Sequence, residues 1–150
     1  MLRSLRLALL PALLAAMVAP AAASADFMHF TTPSRNIDCV ADFSSPSVDC
    51  LVQKASWPRV PPRPADCDLD WIGTEIALGR GRVSVGSCRG DIGPLCVEQT
   101  GDCPALPYGT SLTLPSKVRC TSRRAGLTCR ARNGAGAGFA VSRSGYRIFR

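Results

Sequence analysis

The chain has 150 residues, of which 46% are hydrophobic and 6% aromatic, and its formal net charge at pH 7 is +7. This length predicts one domain. A membrane-spanning helix needs ~20 consecutive apolar residues, and because no run is that long we expect no membrane span.

The first predicted element is a secretory signal peptide over residues 1–25. It contains Arg3 and Arg6, an apolar run over residues 7–18, and the small residues Ala23-Ser24-Ala25. This order of basic, apolar and small residues is typical of an exported protein. We therefore expect cleavage after Ala25, a secreted or periplasmic location, and a single disulfide-rich β domain over residues 26–150.

All eight cysteines follow the predicted signal peptide. An even count in a chain directed to an oxidising compartment favours four disulfides. A zinc site or a redox-active dithiol would show C-x-x-C spacing, which the sequence lacks, and the single histidine, His29, is remote from any cysteine pair. We expect neither a metal nor a cofactor. The cysteines are Cys39, Cys50, Cys67, Cys88, Cys96, Cys103, Cys120 and Cys129.

Two cysteine pairs are predicted by hairpin geometry. Opposing Cys39 and Cys50 across two strands centres the chain reversal on turn residues just before Pro46. Opposing Cys120 and Cys129 centres it on Arg124 and Ala125, where the following Gly126 can adopt a positive φ. Directly opposed strand residues lie close to disulfide distance.

The two hairpins resemble a degenerate repeat, TPSRNIDC from Thr32 and LPSKVRC from Leu114. Two copies are too few for a solenoid, so we expect two similar hairpins in one core. The remaining pairs follow only by elimination. They are Cys67 with Cys88, across a hairpin, and Cys96 with Cys103, around a small loop.

The other predicted elements are short strands. A hairpin is expected around Gly79-Arg80-Gly81, a strand at residues 111–114, and two final strands around Ser144-Gly145. No part of residues 26–150 sustains a helical period over three turns. The expected fold class is all-β, a small disulfide-stapled sandwich or partly open barrel of about six to nine strands built from short hairpins.

Several motifs occur together in a characteristic order. They are FTTPSRNIDC, VDC, WPRVPPRPADC, CRGD, LPYG, a C-x8-C pair ending in GLTC, and GFAVSRSGYRIF. This series resembles the domain-of-unknown-function family 6636, small secreted cysteine-rich bacterial proteins. The resemblance implies that Cys96 and Cys103 are an addition to the usual six cysteines. The family has no established activity, so it implies no catalytic residue.

Three motifs suggest chemistry but favour structural interpretations. Asp66, Asp68 and Asp70 lack the glycine and the twelfth-position carboxylate of a calcium loop, so we interpret them as one solvated strand face. The glycine-rich residues 133–138 lack the features of a phosphate loop and predict a turn. Residues 57–64 predict an extended strap with Trp57 against the core.

Charge is distributed unevenly along the sequence. Residues 26–102 hold eleven acids and seven bases, a net of −4, whereas residues 103–150 hold nine bases and no acid. Such a distribution can attract polyanions. Alternatively, the two repeated hairpins lie side by side and the acidic half neutralises the basic half. The candidate binding residues are Arg119, Arg123, Arg124, Arg130 and Arg132.

These features predict a non-enzymatic binding module of the cell envelope or extracellular space. Its partner would be an anionic envelope polymer or a secreted protein, and nucleic acid is disfavoured because stacking aromatics are scarce. A second hypothesis is an inhibitor or partner of a secreted hydrolase, acting through residues 98–102 and 123–126. A third is an enzyme, which would need a pocket with perturbed carboxylates.

Overall fold

The computed structural model describes residues 26–91, 93–97, 102–115, 117–132 and 136–150. Within these residues the chain forms ten β-strands and no helix. The strands are β1 (Phe27–Thr31), β2 (Ile37–Asp42), β3 (Ser47–Val52), β4 (Asp70–Gly79), β5 (Arg82–Arg89), β6 (Ser111–Thr113), β7 (Val118–Arg123), β8 (Gly126–Ala131), β9 (Gly138–Ser142) and β10 (Gly145–Phe149).

The strands form two antiparallel sheets that follow chain order. The first sheet has the order β1-β2-β3-β4-β5 and the second has the order β10-β9-β8-β7-β6. Both sheets contribute to one hydrophobic core, so the predicted all-β sandwich is confirmed. The sheets do not close into a barrel. The strand count exceeds the expected range partly because β1, near the predicted cleavage site, pairs along its whole length with β2.

The core is made of the inward-facing residues of central strands. In the first sheet Phe30, Cys39, Cys50 and Ile76 lie in one cross-strand row. A corresponding row of Cys120, Cys129 and Phe139 crosses the second sheet. All seven residues are at most 2% exposed. Alternation of side chains along each strand turns the intervening residues outward.

Each of the eight cysteines is in a disulfide, and the pairs are the four that the sequence predicted. Cys39 opposes Cys50 with a Cα–Cα distance of 4.1 Å, and Cys120 opposes Cys129 at 4.0 Å. The other bridges join Cys67 to Cys88 and Cys96 to Cys103. The first two bridges lie inside the core, where they replace apolar side chains.

The repeated motifs form the same turn at the start of each cysteine hairpin. Arg35 has a φ of 51° and Lys117 a φ of 59°, both in the left-handed region that non-glycine residues rarely adopt. The Arg35 amide donates to the Thr32 carbonyl at 2.8 Å, and the Lys117 amide donates to the Leu114 carbonyl at 3.0 Å. The two hairpins lie in different sheets, so they are not neighbouring strands of one sheet.

The aspartate run is not a strand before Asp70. Asp66 and Asp68 lie in a turn segment and are exposed, and only Asp70 belongs to β4. Leu69, which a strand would turn to the face opposite the aspartates, is 53% exposed. The Arg63 guanidinium donates to the Cys67 carbonyl through Nε at 3.0 Å. In a strand, the Cys67 carbonyl would accept a hydrogen bond from the neighbouring strand, but here Arg63 occupies it.

The strap between β3 and β4, two strands of the first sheet, contacts the second sheet through Trp57. Trp57 is 7% exposed, as predicted, and its Nε1 donates to the Ser142 carbonyl at 2.9 Å. Its ring centre lies 4.8 Å from that of Tyr146. The strap therefore attaches the start of the β9–β10 turn to the core.

Some predictions concern residues outside the described ranges. These are the signal peptide over residues 1–25, most of the candidate loop at residues 98–102, and residues 133–135 of the glycine-rich segment. Among the described residues, no helix has the length and apolar character required to cross a bilayer.

Candidate anion-binding surface

A concave feature with a volume of about 490 Å³ lies at one end of the sandwich, where several turns and loops meet. We call it the end recess. Four cationic side chains line it, Lys54 from the first half of the chain and Arg123, Arg124 and Arg143 from the second. None of the described residues that line it is acidic. The recess therefore gathers positive charge from parts of the chain that are far apart in sequence.

Arg123 and Arg124 are placed by the β7–β8 turn. Arg123 is the last residue of β7 and pairs with Gly126, the first residue of β8. Gly126 has a φ of 136°, and a Cβ there would lie 2.2 Å from the Val141 carbonyl oxygen. Only glycine satisfies both the backbone angle and this close approach to β9, so the turn fixes the backbone from which the two exposed arginine side chains extend.

Arg143 and Lys54 are placed by hydrogen bonds of their backbones. The Arg143 carbonyl accepts from the Ser56 amide at 2.7 Å and from the Ser56 hydroxyl at 3.3 Å. The Lys54 amide donates to Asn36 Oδ1 at 2.9 Å. These contacts connect the strap, the β1–β2 turn and the β9–β10 turn around the recess.

The cations of the end recess are not neutralised by the described part of the chain. Every salt bridge among the described residues uses Arg89, on the first sheet. Arg124 instead lies over the ring of Tyr108, with its Cζ 5.4 Å from the ring centre. Polar neutral side chains fill the space between the cations; they are Thr32, Ser34, Asn36, Tyr108, Ser142 and Ser144.

The remaining predicted arginines lie apart from the end recess, on the outer face of the second sheet. Arg119 and Arg130 are directly opposed across β7 and β8, next to the opposed Cys120 and Cys129. With Arg132 they line a recess of about 330 Å³, which we call the sheet recess. Like charges in this arrangement repel. Arg130 lies over the ring of Phe149, at 3.8 Å from Cζ to the ring centre, so its neighbour is an aromatic face and not a carboxylate.

Three acidic side chains, those of Asp49, Glu75 and Asp91, surround Arg89 on the outer face of the first sheet. The Arg89 guanidinium lies 2.5 Å from Glu75, 3.2 Å from Asp91 and 3.8 Å from Asp49. Burial raises the pKa of Glu75 to about 7 against the opposing effect of Arg89, and burial also raises the pKa of Asp49. Arg89, the cation that pairs with these acids, therefore belongs to the same acidic half of the chain, residues 26–102.

An acidic cleft of about 330 Å³ lies beside this cluster. Its lining includes His29, Asp42, Asp49 and Asp91, and burial lowers the pKa of His29. No group of three or more potential metal ligands occurs within the described ranges. The perturbed carboxylates that the enzyme hypothesis requires are those beside Arg89.

Sequence reasoning found five arginines but not their division into two recesses, and it missed Lys54 and Arg143. Lys54 belongs to the half with net negative charge, so charge counting gave it no weight. Arg143 lies in a predicted turn and reaches the recess through contacts with Ser56, 87 residues away in sequence. Contacts between residues so far apart in the chain leave no pattern in the local sequence from which they could be predicted.

Comparison with known proteins identifies the family. The family model for the family of unknown function DUF6636 matches residues 8–149. The chain belongs to this family. No curated protein and no solved structure matches it. Membership in DUF6636 assigns no role to any residue, so the function proposed below depends on the geometry of the recesses.

Proposed function

We propose that this DUF6636 protein is an exported, non-enzymatic binding module whose end recess holds an anionic ligand. The observation that carries the proposal is the convergence of Lys54, Arg123, Arg124 and Arg143 on a recess in which no described lining residue is acidic. Guanidinium groups bind carboxylate, sulfate and phosphate groups through paired hydrogen bonds. The intervening hydroxyl groups supply further donors.

The recess is preorganised for this role. Its walls are connected by hydrogen bonds from the strap to both neighbouring turns, including those between Ser56 and Arg143. A rigid site loses little conformational entropy when a ligand binds. The four cations also have no salt bridge within the described residues that an incoming anion would need to break.

Export through a cleaved signal peptide is part of the proposal. The pattern of residues 1–25 supports it, and four disulfides suit an oxidising compartment. N-terminal sequencing of the protein from culture medium or periplasm should begin at Asp26. A chain recovered only with residues 1–25 attached would contradict this part of the proposal.

The binding proposal is tested by the double substitution R123S/R124S. We expect affinity for a sulfated oligosaccharide to fall about tenfold, which corresponds to about 1.4 kcal/mol, because two exposed guanidinium groups leave the recess. The melting temperature should be nearly unchanged, since neither side chain is in a salt bridge within the described residues. Binding is measured by fluorescence anisotropy.

The matched control is R59S/R82S, which removes the same charge from exposed positions outside the end recess. It should retain the affinity of the unmodified protein. Equal weakening by both double substitutions would show that net charge, and not the recess, governs binding. A large fall in melting temperature for R123S/R124S would show that these arginines stabilise the fold.

A further inference from the structure

The end recess does not stop at the β7–β8 turn. A neighbouring recess of about 460 Å³, which we call the turn recess, shares Arg123, Gly126 and Ser142 with it and adds Arg147. The turn recess in turn shares Thr128 with the sheet recess. The three recesses therefore join into one surface that runs along the outside of the second sheet.

The length of this surface exceeds what one small anion would occupy. It follows β8 from the turn at Ala125 to Arg132, seven residues further along the chain. At ~3.4 Å per residue in a strand, this portion alone spans about 24 Å. Lys54 and Arg143 extend it beyond the turn at one end.

Cations and neutral polar groups occur along its whole length. Within the part of the chain that the structure describes, no residue that lines the three recesses is acidic. Thr121 and Thr128 lie on the sheet, and Ser142 and Ser144 lie near the turn. The cationic residues are Lys54, Arg119, Arg123, Arg124, Arg130, Arg132, Arg143 and Arg147.

The aromatic rings on or beside this surface are covered by other side chains. Tyr108, in the end recess, lies under Arg124 at 5.4 Å from Cζ to the ring centre. Phe149 lies under Arg130, at 3.8 Å from Cζ to the ring centre, and under Arg147 at 5.0 Å. Tyr146 packs against Trp57. Proteins that bind single-stranded nucleic acids stack bases on open aromatic faces, so this surface is poorly suited to a nucleic acid.

We propose that the three recesses form one continuous track that binds a linear acidic polysaccharide, with its carboxylate or sulfate groups on the arginines and its hydroxyl groups on the threonines and serines. This inference rests on the proposed function, because the end recess is the first section of the track. A chain that occupies several sections gains affinity through linked contacts.

The test measures binding of the mature protein to oligogalacturonates of increasing length, from the dimer to the dodecamer. Affinity should rise by at least about tenfold along the series and then level off when the track is filled. Binding of the longest chains should also weaken most steeply with added salt, because more exposed charge pairs are screened. Neutral maltodextrins of the same lengths should not bind.

Two double substitutions separate the sections of the track. R119S/R130S should weaken binding of the dodecamer about tenfold and leave the dimer unaffected, whereas R123S/R124S should weaken both. If the dimer binds as tightly as the dodecamer and R119S/R130S has no effect, the track is wrong while the end recess stands. If no oligogalacturonate and no sulfated oligosaccharide binds, the proposed function also fails. Tighter binding of a single-stranded oligonucleotide of equal charge would overturn the polysaccharide assignment.

Discussion

Glu75 is a buried carboxylate on β4 whose two oxygens have different surroundings. Oε1 lies 2.5 Å from Arg89 Nη2, whereas Oε2 is buried without a hydrogen-bond partner within the described structure. Burial raises the pKa of this side chain from 4.5 to about 7. Between these two values the folded protein binds more protons than the unfolded chain. The contribution of Glu75 to stability is therefore lost as pH rises through this window.

The substitution E75Q isolates this effect. We expect the free energy of unfolding of the unmodified protein, relative to that of E75Q, to fall by on the order of 2–3 kcal/mol between pH 4.5 and pH 8. Urea denaturation at several pH values measures it. His29, whose pKa is lowered by burial, acts in the opposite direction but is present in both proteins. A difference that stays constant with pH would contradict this assignment.

The two cysteine hairpins are equivalent elements in opposite sheets. Their disulfides span 11 and 9 residues, and all four cysteines are fully buried. In the chain-entropy view, closing a loop of this size stabilises the fold by about 3 kcal/mol. Because whole domains are stable by only about 5–15 kcal/mol, these hairpins depend strongly on their bridges.

We expect C39A/C50A and C120A/C129A to lower the free energy of unfolding by similar amounts, about 3 kcal/mol or more each, since both also leave a cavity in the core. Urea denaturation measures the loss. C96S/C103S is the comparison, and its loss should be smaller because these cysteines lie outside the core cluster. Thiol titration of the denatured, unreduced protein should detect no free cysteine. If removal of either core disulfide left the free energy of unfolding nearly unchanged, the two hairpins would not be equivalent.

The hairpins were predictable because their signals are local. Cys39 and Cys50 are separated by turn residues, and Gly126 follows a turn that its positive φ completes. The aspartate run gave a false strand, because alternation of polar and apolar residues does not show that Arg63 occupies the Cys67 carbonyl. The end recess could not be predicted, since it depends on which turns the strap brings together.

At the scale of the molecule, acids and bases are separated between the two sheets. The charge count of the sequence, −4 for residues 26–102 and +9 for residues 103–150, becomes a spatial separation because each half forms its own sheet. Such a molecule orients in the field of a polyanion with its second sheet foremost. The track would therefore meet its ligand before the acidic face does.

Each disulfide joins cysteines within residues 26–103 or within residues 104–150, with sequence separations of 11, 21, 7 and 9. The sheets are therefore held together by noncovalent contacts and one stretch of backbone. Residues 26–103 and 104–150, produced together as separate chains under oxidising conditions, should assemble as a one-to-one complex detectable by analytical ultracentrifugation. Fragments that remain apart would contradict this.

The second fragment, residues 104–150, begins with a segment that hydrogen-bonds to β1 of the first fragment. The Thr31 amide donates to the Pro104 carbonyl at 3.0 Å, and the Leu106 amide donates to the Thr31 carbonyl at 2.8 Å. Residues 104–106 thus add to the free edge of β1 as a short parallel segment. The protein can be divided into a complementing pair, in which reassembly of the two pieces would restore the end recess.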